Sequence, residues 1–426
     1  MKLLFRLLLC SLAAFSFGCA PQRPDIAAAT VATRVSTPLL LISIDGYRHD
    51  YIQRGFSPTL AMLAQSGVQA ASLQPAFPSL TFPNHYTIVT GLTPDHHGIV
   101  NNTMFDPRLG KFSLNSRDAV SDGRWWAEGT PIWETADQHG LRTATMFWPG
   151  SEAAIRGHHP DYWKPFDGKV TSDQRVDQVL AWLDLPATER PGFLTLYFDE
   201  VDHAGHVYGP DTAQVNDALR ETDAAMARLV LGLKQRGLFE RINLIVLADH
   251  GMAAVPKPNN VMIDQLIPLD HVQTVSMGIL AGFNPKSDSA EARADFAKIE
   301  QTLERPHPRM QCWDKTRVPA HLAYGKNSRV PQLLCLANVH WRITTSDYAA
   351  RRKGRLSLGE HGYDNTEPLM QALFLAHGPA FRAGAKVPAF PNVDVYPLMT
   401  HLLDLPAAAN DGDYDVVKDM LKPDAR

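Results

Sequence analysis

The sequence predicts an α/β fold: a mostly parallel sheet sandwiched by helices, with a small α+β subdomain inserted into it. Three observations carry this. Short apolar runs without alternation stop abruptly on carboxylates, amphipathic helical stretches separate them, and residues 253–357 break the rhythm.

The first run, Thr37 to Ile44 (TPLLLISI), ends at Asp45-Gly46. An apolar run with no polar face reads as a strand buried on both sides, as parallel sheets require. Gly192 to Phe198 (GFLTLYF) and Ile242 to Ala248 (INLIVLA) repeat the pattern and end on Asp199 and Asp249, and Gln371 to Ala376 is a fourth candidate. The clearest helix is Thr212 to Arg236, with Val215, Leu219, Met226, Leu229, Val230 and Leu233 on one stripe. Sites in such folds form at the carboxyl ends of strands, where Asp45 and Asp249 fall. The core is expected over 37–252 and 358–410. The insert, 253–357, carries a helical pattern near Ser289–Leu303 and strand-like runs at Val330–Ala337 and Val339–Thr344.

Length and composition agree with a globular body: 426 residues, 45% hydrophobic and 20% charged. A net charge of −4 gives no basic footprint, so duplex nucleic-acid binding is not expected. Lys2 and Arg6 precede an apolar run from Leu7 to Phe17 that closes on Gly18-Cys19. It is short for a membrane span and has the layout of a secretory signal over 1–19, followed by a tether over 20–36. Cys19 fits the position of a bacterial lipoprotein anchor, although Ser16 is a poor match to that pattern, and a soluble periplasmic or secreted protein is the alternative. Cys312 and Cys335 then remain as the cysteines of the folded body, and export makes them disulfide partners, with two unrelated buried thiols as the alternative.

Polar clusters sit where a core would not place them: "SIDGYR" with Asp45, "DEVDHAGHVYGP" with Asp202 and His206, "LADHGM" with Asp249 and His250, and "GEHGYDN" with His361. Imidazole nitrogen and carboxylate oxygen together suit zinc, and carboxylate–histidine clusters of this kind fit a pair of divalent ions. Asp202 and His206 lie four apart, so one helical turn aims both at one point. In "PSLTFPNH" (78–85), prolines flank Thr81 and hold its backbone rigid at a helix entry.

These segments, with "PSLTFPNHYTIVTGLTPDHHGIVNN" (78–102) and "WPGSEA" (148–153), resemble the nucleotide pyrophosphatase/phosphodiesterase family of the alkaline phosphatase superfamily, in the expected order over residues 38–405. The resemblance implies two Zn²⁺ per chain, one held by Asp202, His206 and His361, the other by Asp45, Asp249, His250 and the Thr81 oxygen. It implies that Thr81 is the nucleophile, since a metal on a hydroxyl supplies the activation that threonine lacks, and that Asn102 donates to a phosphoryl oxygen. Phe82 and Phe166 would clamp a base, although nucleotide-selective members commonly carry tyrosine where this chain has Phe166. Leu114 and Tyr162 complete the expected substrate pocket, with ordinary packing as the alternative for both, while Trp148 is expected in the core. His85, His96, His97, His158, His159 and His203 match no ligand position, and Asp199 and Asp223 are expected to support the site or cap helices.

The implied activity is hydrolysis of a phosphodiester or pyrophosphate bond through a phosphothreonine intermediate, releasing a nucleoside 5′-monophosphate. A choline or lipid phosphodiesterase on the same site would need an acidic or aromatic cage for a quaternary ammonium. A non-catalytic exported binding protein would be expected to lack a ligand or the nucleophile, and all seven positions are filled.

Overall fold

In the computed structural model, which describes residues 37–352 and 355–423, the apolar runs become the centre of an eight-stranded sheet. Its strands are β1 (Leu39–Ile44), β2 (Val68–Ala70), β3 (Thr143–Met146), β4 (Tyr162–Lys164), β5 (Phe193–Phe198), β6 (Asn243–Leu247), β7 (Phe374–His377) and β8 (Ala385–Val387). Their spatial order is β8-β2-β7-β6-β1-β5-β3-β4. Every neighbouring pair is parallel except those made by β7, which runs against both β6 and β2. The expected signal sequence, tether and Cys19 lie outside the described residues. Among the described residues no helix is long and apolar enough to cross a membrane.

Every residue of β1, β5 and β6 is buried, so both faces of the central sheet are covered. Helix α1 (Pro58–Ser66) packs on β7 and β2, and α3 (Ser172–Leu183) packs on β3 and β5. The long helix Ala213–Gln235 buries all six residues of the expected stripe, and the Thr212 hydroxyl accepts from Val215 N to cap it. Asp223 on that helix accepts from the Thr59 and Leu60 amides at 3.0 Å, so it caps α1 from outside.

β1 and β5 run in register from Leu39 opposite Phe193 to Ile44 opposite Phe198, while Ser43 lies opposite Leu247 of β6. The residues that leave these three central strands therefore emerge at one edge. Those residues are Asp45, Asp199 and, one position beyond Ala248, Asp249.

Between 253 and 357 the chain builds a separate antiparallel sheet from Val272–Ser276, Leu280–Pro285, Met310–Asp314 and Leu333–Ala337. Helix Ala290–Leu303, capped by Ser289, lays Phe296, Ile299 and Leu303 against it. Cys312 and Cys335 face each other on adjacent strands and are joined by a disulfide across 23 positions, a loop whose closure is worth about 3 kcal/mol in the chain-entropy account. Two expectations need adjustment. Arg342–Thr344 leaves this sheet and pairs with Asn260–Met262. The core also extends beyond 410, because Val417, Met420 and Leu421 are buried against it. The ends of the inserted stretch meet, Ala253–Ala254 pairing with Gly359–Glu360.

Candidate active site

At the edge where β1 and β6 end, Asp45, Asp249 and His250 are almost fully buried. Gly46 turns the chain with φ +68°, and a Cβ there would lie 3.0 Å from the Asp202 backbone, so glycine lets the two segments close. The Gly46 amide donates to Asp249 Oδ1 at 3.2 Å, and the Tyr197 hydroxyl donates to Asp45 Oδ2 at 2.6 Å. Asp202 and His206 project from α4 (Glu200–Tyr208), one turn apart as their spacing requires. Gly359 is indispensable beside this helix, since a Cβ there would sit 2.3 Å from Gly205 O.

The three histidines share one arrangement. His250 Nδ1 donates to Gly251 O at 3.0 Å, His206 Nδ1 to Gly359 O at 2.8 Å, and His361 Nδ1 to Ser79 O at 2.9 Å. Each Nε2 is then a lone-pair acceptor turned inward. His206 Nε2 and His361 Nε2 stand 3.1 Å apart, and each is 3.5 Å from an Asp202 oxygen. His250 Nε2 lies 3.0 Å from Asp249 Oδ2 and 3.5 Å from Asp45 Oδ1. Two imidazole lone pairs facing each other repel unless a cation stands between them. Asp45 Oδ1, Asp202 Oδ1 and Asp249 Oδ2 are also buried without a hydrogen-bond partner, a costly state that a cation removes. Backbone carbonyls fixing Nδ1–H while Nε2 points inward is how metal-ligating histidines are usually held. The donor set fits divalent cations: Asp202, His206 and His361 form one group, and Asp45 with Asp202 and His250 another.

The ionisable groups of the centre are strongly perturbed: burial opposes protonation of His206 and His250, but the neighbouring Asp202 and Asp249 charges outweigh it and raise both. Burial, then the charges of Asp249 and Asp202, push the Asp45 carboxyl well above the usual range. Burial, then His250 and His206, hold His361 well below its ordinary value. For Asp249, burial opposes ionisation but is outweighed by His250 and His85, leaving it well below the usual carboxylate range.

Thr81 opens α2 (Thr81–Thr90) after the extended Leu80, with its Oγ1 3.3 Å from His250 Nε2. Pro83 is the third residue of this helix, where its missing amide forfeits no intrahelical bond. Asn84, which sequence reasoning passed over, and His85, which matches no ligand position, anchor this segment. Asn84 accepts from Ala76 N at 2.7 Å and donates to Pro78 O and Leu80 O at 2.9 Å, tying down the loop before Thr81. His85 Nδ1 donates to Thr81 O at 2.9 Å and lies 3.3 Å from Asp249 Oδ2, while Ser43 Oγ donates to its Nε2 at 2.9 Å. With both ring nitrogens engaged, His85 links the backbone of Thr81 to an inward carboxylate. The available signal was two strongly polar residues on a helix whose other residues read as core.

A cavity of ≈ 650 Å³ opens over this centre and is lined by Thr81, Phe82, Asn102, Leu114, Phe166 and His361, with Trp148 and His203 also on its wall. Asn102 Oδ1 accepts from the Phe82 amide at 3.0 Å, which leaves its Nδ2 as the free donor. Phe166 packs edge-on to Phe147 at 5.2 Å, and Phe82 against Phe112 at 6.0 Å. Tyr162 is the exception. It sits on the edge strand β4, donates to Glu189 O at 3.1 Å and packs near Trp182, away from the cavity, because strand alternation turns its ring to the α3 side. Asp199 lines the cavity and pairs with Arg175 at 2.7 Å. His96 pairs with Asp411, His158 with Asp137, and His159 stacks on Trp163, all structural roles as expected.

Residues 39–364 match the family model described as type I phosphodiesterase / nucleotide pyrophosphatase. An uncharacterized pyrophosphatase/phosphodiesterase of Schizosaccharomyces pombe is 38% identical over 88% of this chain and 79% of its own length. Ectonucleotide pyrophosphatase/phosphodiesterase family member 3 of Bos taurus is 37% identical over 90% of this chain. This chain spans only 44% of that bovine protein, and 46% of a Crotalus durissus collilineatus venom phosphodiesterase to which it is 38% identical. Among solved structures, murine ectonucleotide pyrophosphatase/phosphodiesterase 5, as an inactive form in complex with AMP, superposes with a TM-score of 0.85 at 32% identity, covering 91% of this chain and all of that one. With the matched model running from β1 to just past His361, through every polar cluster described above, the chain belongs to the type I phosphodiesterase / nucleotide pyrophosphatase family.

Proposed function

We propose that the protein is an exported, zinc-dependent hydrolase that cleaves the phosphodiester or pyrophosphate bond of a nucleotide through a Thr81 phosphoester and releases a nucleoside 5′-monophosphate. The observation that carries this is the convergence of three inward Nε2 atoms and three unpaired carboxylate oxygens beside the Thr81 hydroxyl. Two zinc ions, held by Asp202, His206 and His361 and by Asp45, Asp249, His250 and Thr81, would supply Lewis acidity that neutralises charge on the phosphoryl oxygens. Asn84 and His85 fix the backbone of Thr81 so that Oγ1 faces the cavity. Oγ1 attacks phosphorus, the leaving oxygen departs from the opposite side, and water opens the resulting ester in a second in-line displacement. Asn102 Nδ2 and the positive end of α2 face the charge that develops on the non-bridging oxygens. Phe82 and Phe166 offer ring faces to the base.

Arg117 and Lys164 on the cavity wall argue against a quaternary ammonium ligand: of the carboxylates there, Asp199 is paired with Arg175, Asp45 and Asp202 belong to the proposed metal sites, and Glu152 remains to attract it against them. Export to the bacterial periplasm, and a lipid anchor at Cys19, belong to the same reading. The relatives' names, ectonucleotide and venom enzymes, support export in general.

The deciding experiment uses a chirally labelled phosphodiester with the purified chain. Two inverting steps predict net retention at phosphorus, and Thr81→Ala should lower turnover by several orders of magnitude while metal content largely persists. Net inversion, or hydrolysis that survives complete metal removal, would overturn the mechanism.

A further inference from the structure

A second cavity, ≈ 910 Å³, borders the first at His206, the one described residue that lines both hollows. Its character is opposite to that of the ring-lined cavity. Lys257, Arg342, Arg351, Arg352 and Arg355 face it, and among the described residues Glu360 is the only carboxylate on its wall. Arg342 is already paired with Glu360 at 3.2 Å, and Arg351 with Asp347 at 2.8 Å. Arg352 donates to the Tyr348 hydroxyl at 3.1 Å and lies over that ring. Among the described residues no carboxylate pairs with Lys257, Arg352 or Arg355. Three uncompensated cations in one hollow stand out on a chain whose net charge is −4. Concave clusters of one sign focus their field into the space they enclose.

Attack by Thr81 Oγ1 sends the leaving oxygen to the side opposite the nucleophile, and a base held by Phe82 and Phe166 takes up the first cavity. His206 borders both cavities, so a leaving group that departs past it enters the second. The cationic wall is also fixed to the centre: Ser357 Oγ and Gly359 O, from the loop following Arg355, hold His206 itself, and Arg342 donates to Ser357 O.

Resting on the function proposed above, we propose that this second cavity is the subsite for a multiply charged phosphate chain in the leaving group. Such a chain is the pyrophosphate of a nucleoside triphosphate or the remaining phosphates of a dinucleoside polyphosphate. Lys257, Arg352 and Arg355 contact it and make the enzyme prefer polyphosphate leaving groups over neutral ones.

The test compares wild type with the triple variant Lys257→Ala/Arg352→Ala/Arg355→Ala on ATP, on diadenosine tetraphosphate and on the p-nitrophenyl ester of thymidine 5′-monophosphate, whose leaving group carries no phosphate. The expected result is a loss of about tenfold in kcat/KM on ATP, from three exposed charge pairs together, with the nitrophenyl ester within about twofold. A matching loss on the tetraphosphate would extend the subsite to dinucleotides, and a loss on ATP alone would confine it to pyrophosphate. Equal losses on ATP and the nitrophenyl ester, or none on either, would overturn the proposal. Calorimetric titration of inorganic tripolyphosphate into both proteins keeps this separate from the catalytic reading. If wild type hydrolyses none of the substrates, tripolyphosphate binding weakened about tenfold in the variant still supports an anion subsite, while equal or absent binding refutes it.

Discussion

Asp45, Asp249 and His250 hang from the ends of two paired strands at the bottom of the centre, at most 1% exposed. Asp202 and His206 ride on a nine-residue helix and leave 18% and 31% of their side chains open. The first half is fixed by the sheet register and by His85 and Tyr197, all of them buried. The second depends on α4 and on the loop that supplies Ser357, Gly359 and His361. A fixed half suits the group that must be aimed at one phosphorus atom. An open half suits the side on which leaving group and water exchange. On the mechanism proposed above, the first half of the centre would be set by the folding of the core, and the second would serve the traffic of the substrate.

The largest effect should come from setting ligands of the two halves against each other. Asp249→Ala should cost on the order of 10³-fold or more in turnover and resist rescue by added zinc, because its site is closed and loses a buried charge. His206→Ala should cost on the order of 10²-fold and recover in part at high zinc, since an open site refills. Metal analysis alongside steady-state rates checks this, and equal rescue of both variants would break the contrast.

A smaller effect should separate the supporting residues. His85→Gln disturbs the link between Thr81 O, Asp249 and Ser43 and should weaken metal retention about 10–100-fold. Ser357→Ala leaves the stronger bond from His206 Nδ1 to Gly359 O in place and should cost less than about tenfold. Competition against a zinc chelator reads both values. The reverse order would mean that the open half carries the metal affinity.

The last effect bears on stability and not on the centre, and concerns the footing of α2. His97 Nδ1 accepts from the Ile99 amide at 3.1 Å, and its Nε2 bonds Thr87 Oγ1 at 3.0 Å, so the neutral ring is satisfied. Burial holds its pKa down at about 3. With the folded value depressed below the ordinary 6.5, the contribution to stability is complete above pH 6.5 and is lost as pH falls toward 3, at up to about 1.4 kcal/mol per pH unit. His97→Gln should flatten that part of the stability–pH curve in denaturant titrations. An unchanged slope would place the acid sensitivity elsewhere.

The buried half was legible in the sequence because unalternating apolar runs that stop on Asp45 and Asp249 leave few other folds. Asp202 and His206 were legible because four residues make one turn. The Cys312–Cys335 bond followed from the small number of cysteines in the body. The direction of β7 was not legible, since periodicity carries no sign. Nor was the pairing of Arg342–Thr344 with Asn260–Met262, which depends on a contact across some eighty positions. Asn84 and the contacts of His85 were hidden because polar residues within a helix ordinarily face water, and only the packed tertiary structure shows them turned inward. Tyr162 misled in the opposite way, as an aromatic close in sequence to the site residues whose ring faces another layer.

The shared register of β1, β5 and β6 has a consequence for how such a chain can change over generations. Each strand residue advances the chain by about 3.3 Å and reverses the side to which the next side chain points. Deleting one residue from Leu39–Ile44 would pull Asp45 down into the sheet and turn it to the wrong face, and inserting one would push it out past Asp249. Loops beyond the strand ends face no such rule. Length variation among descendants of this chain should therefore collect in the connections and the inserted stretch, while the three central strands keep their residue count even where their composition drifts.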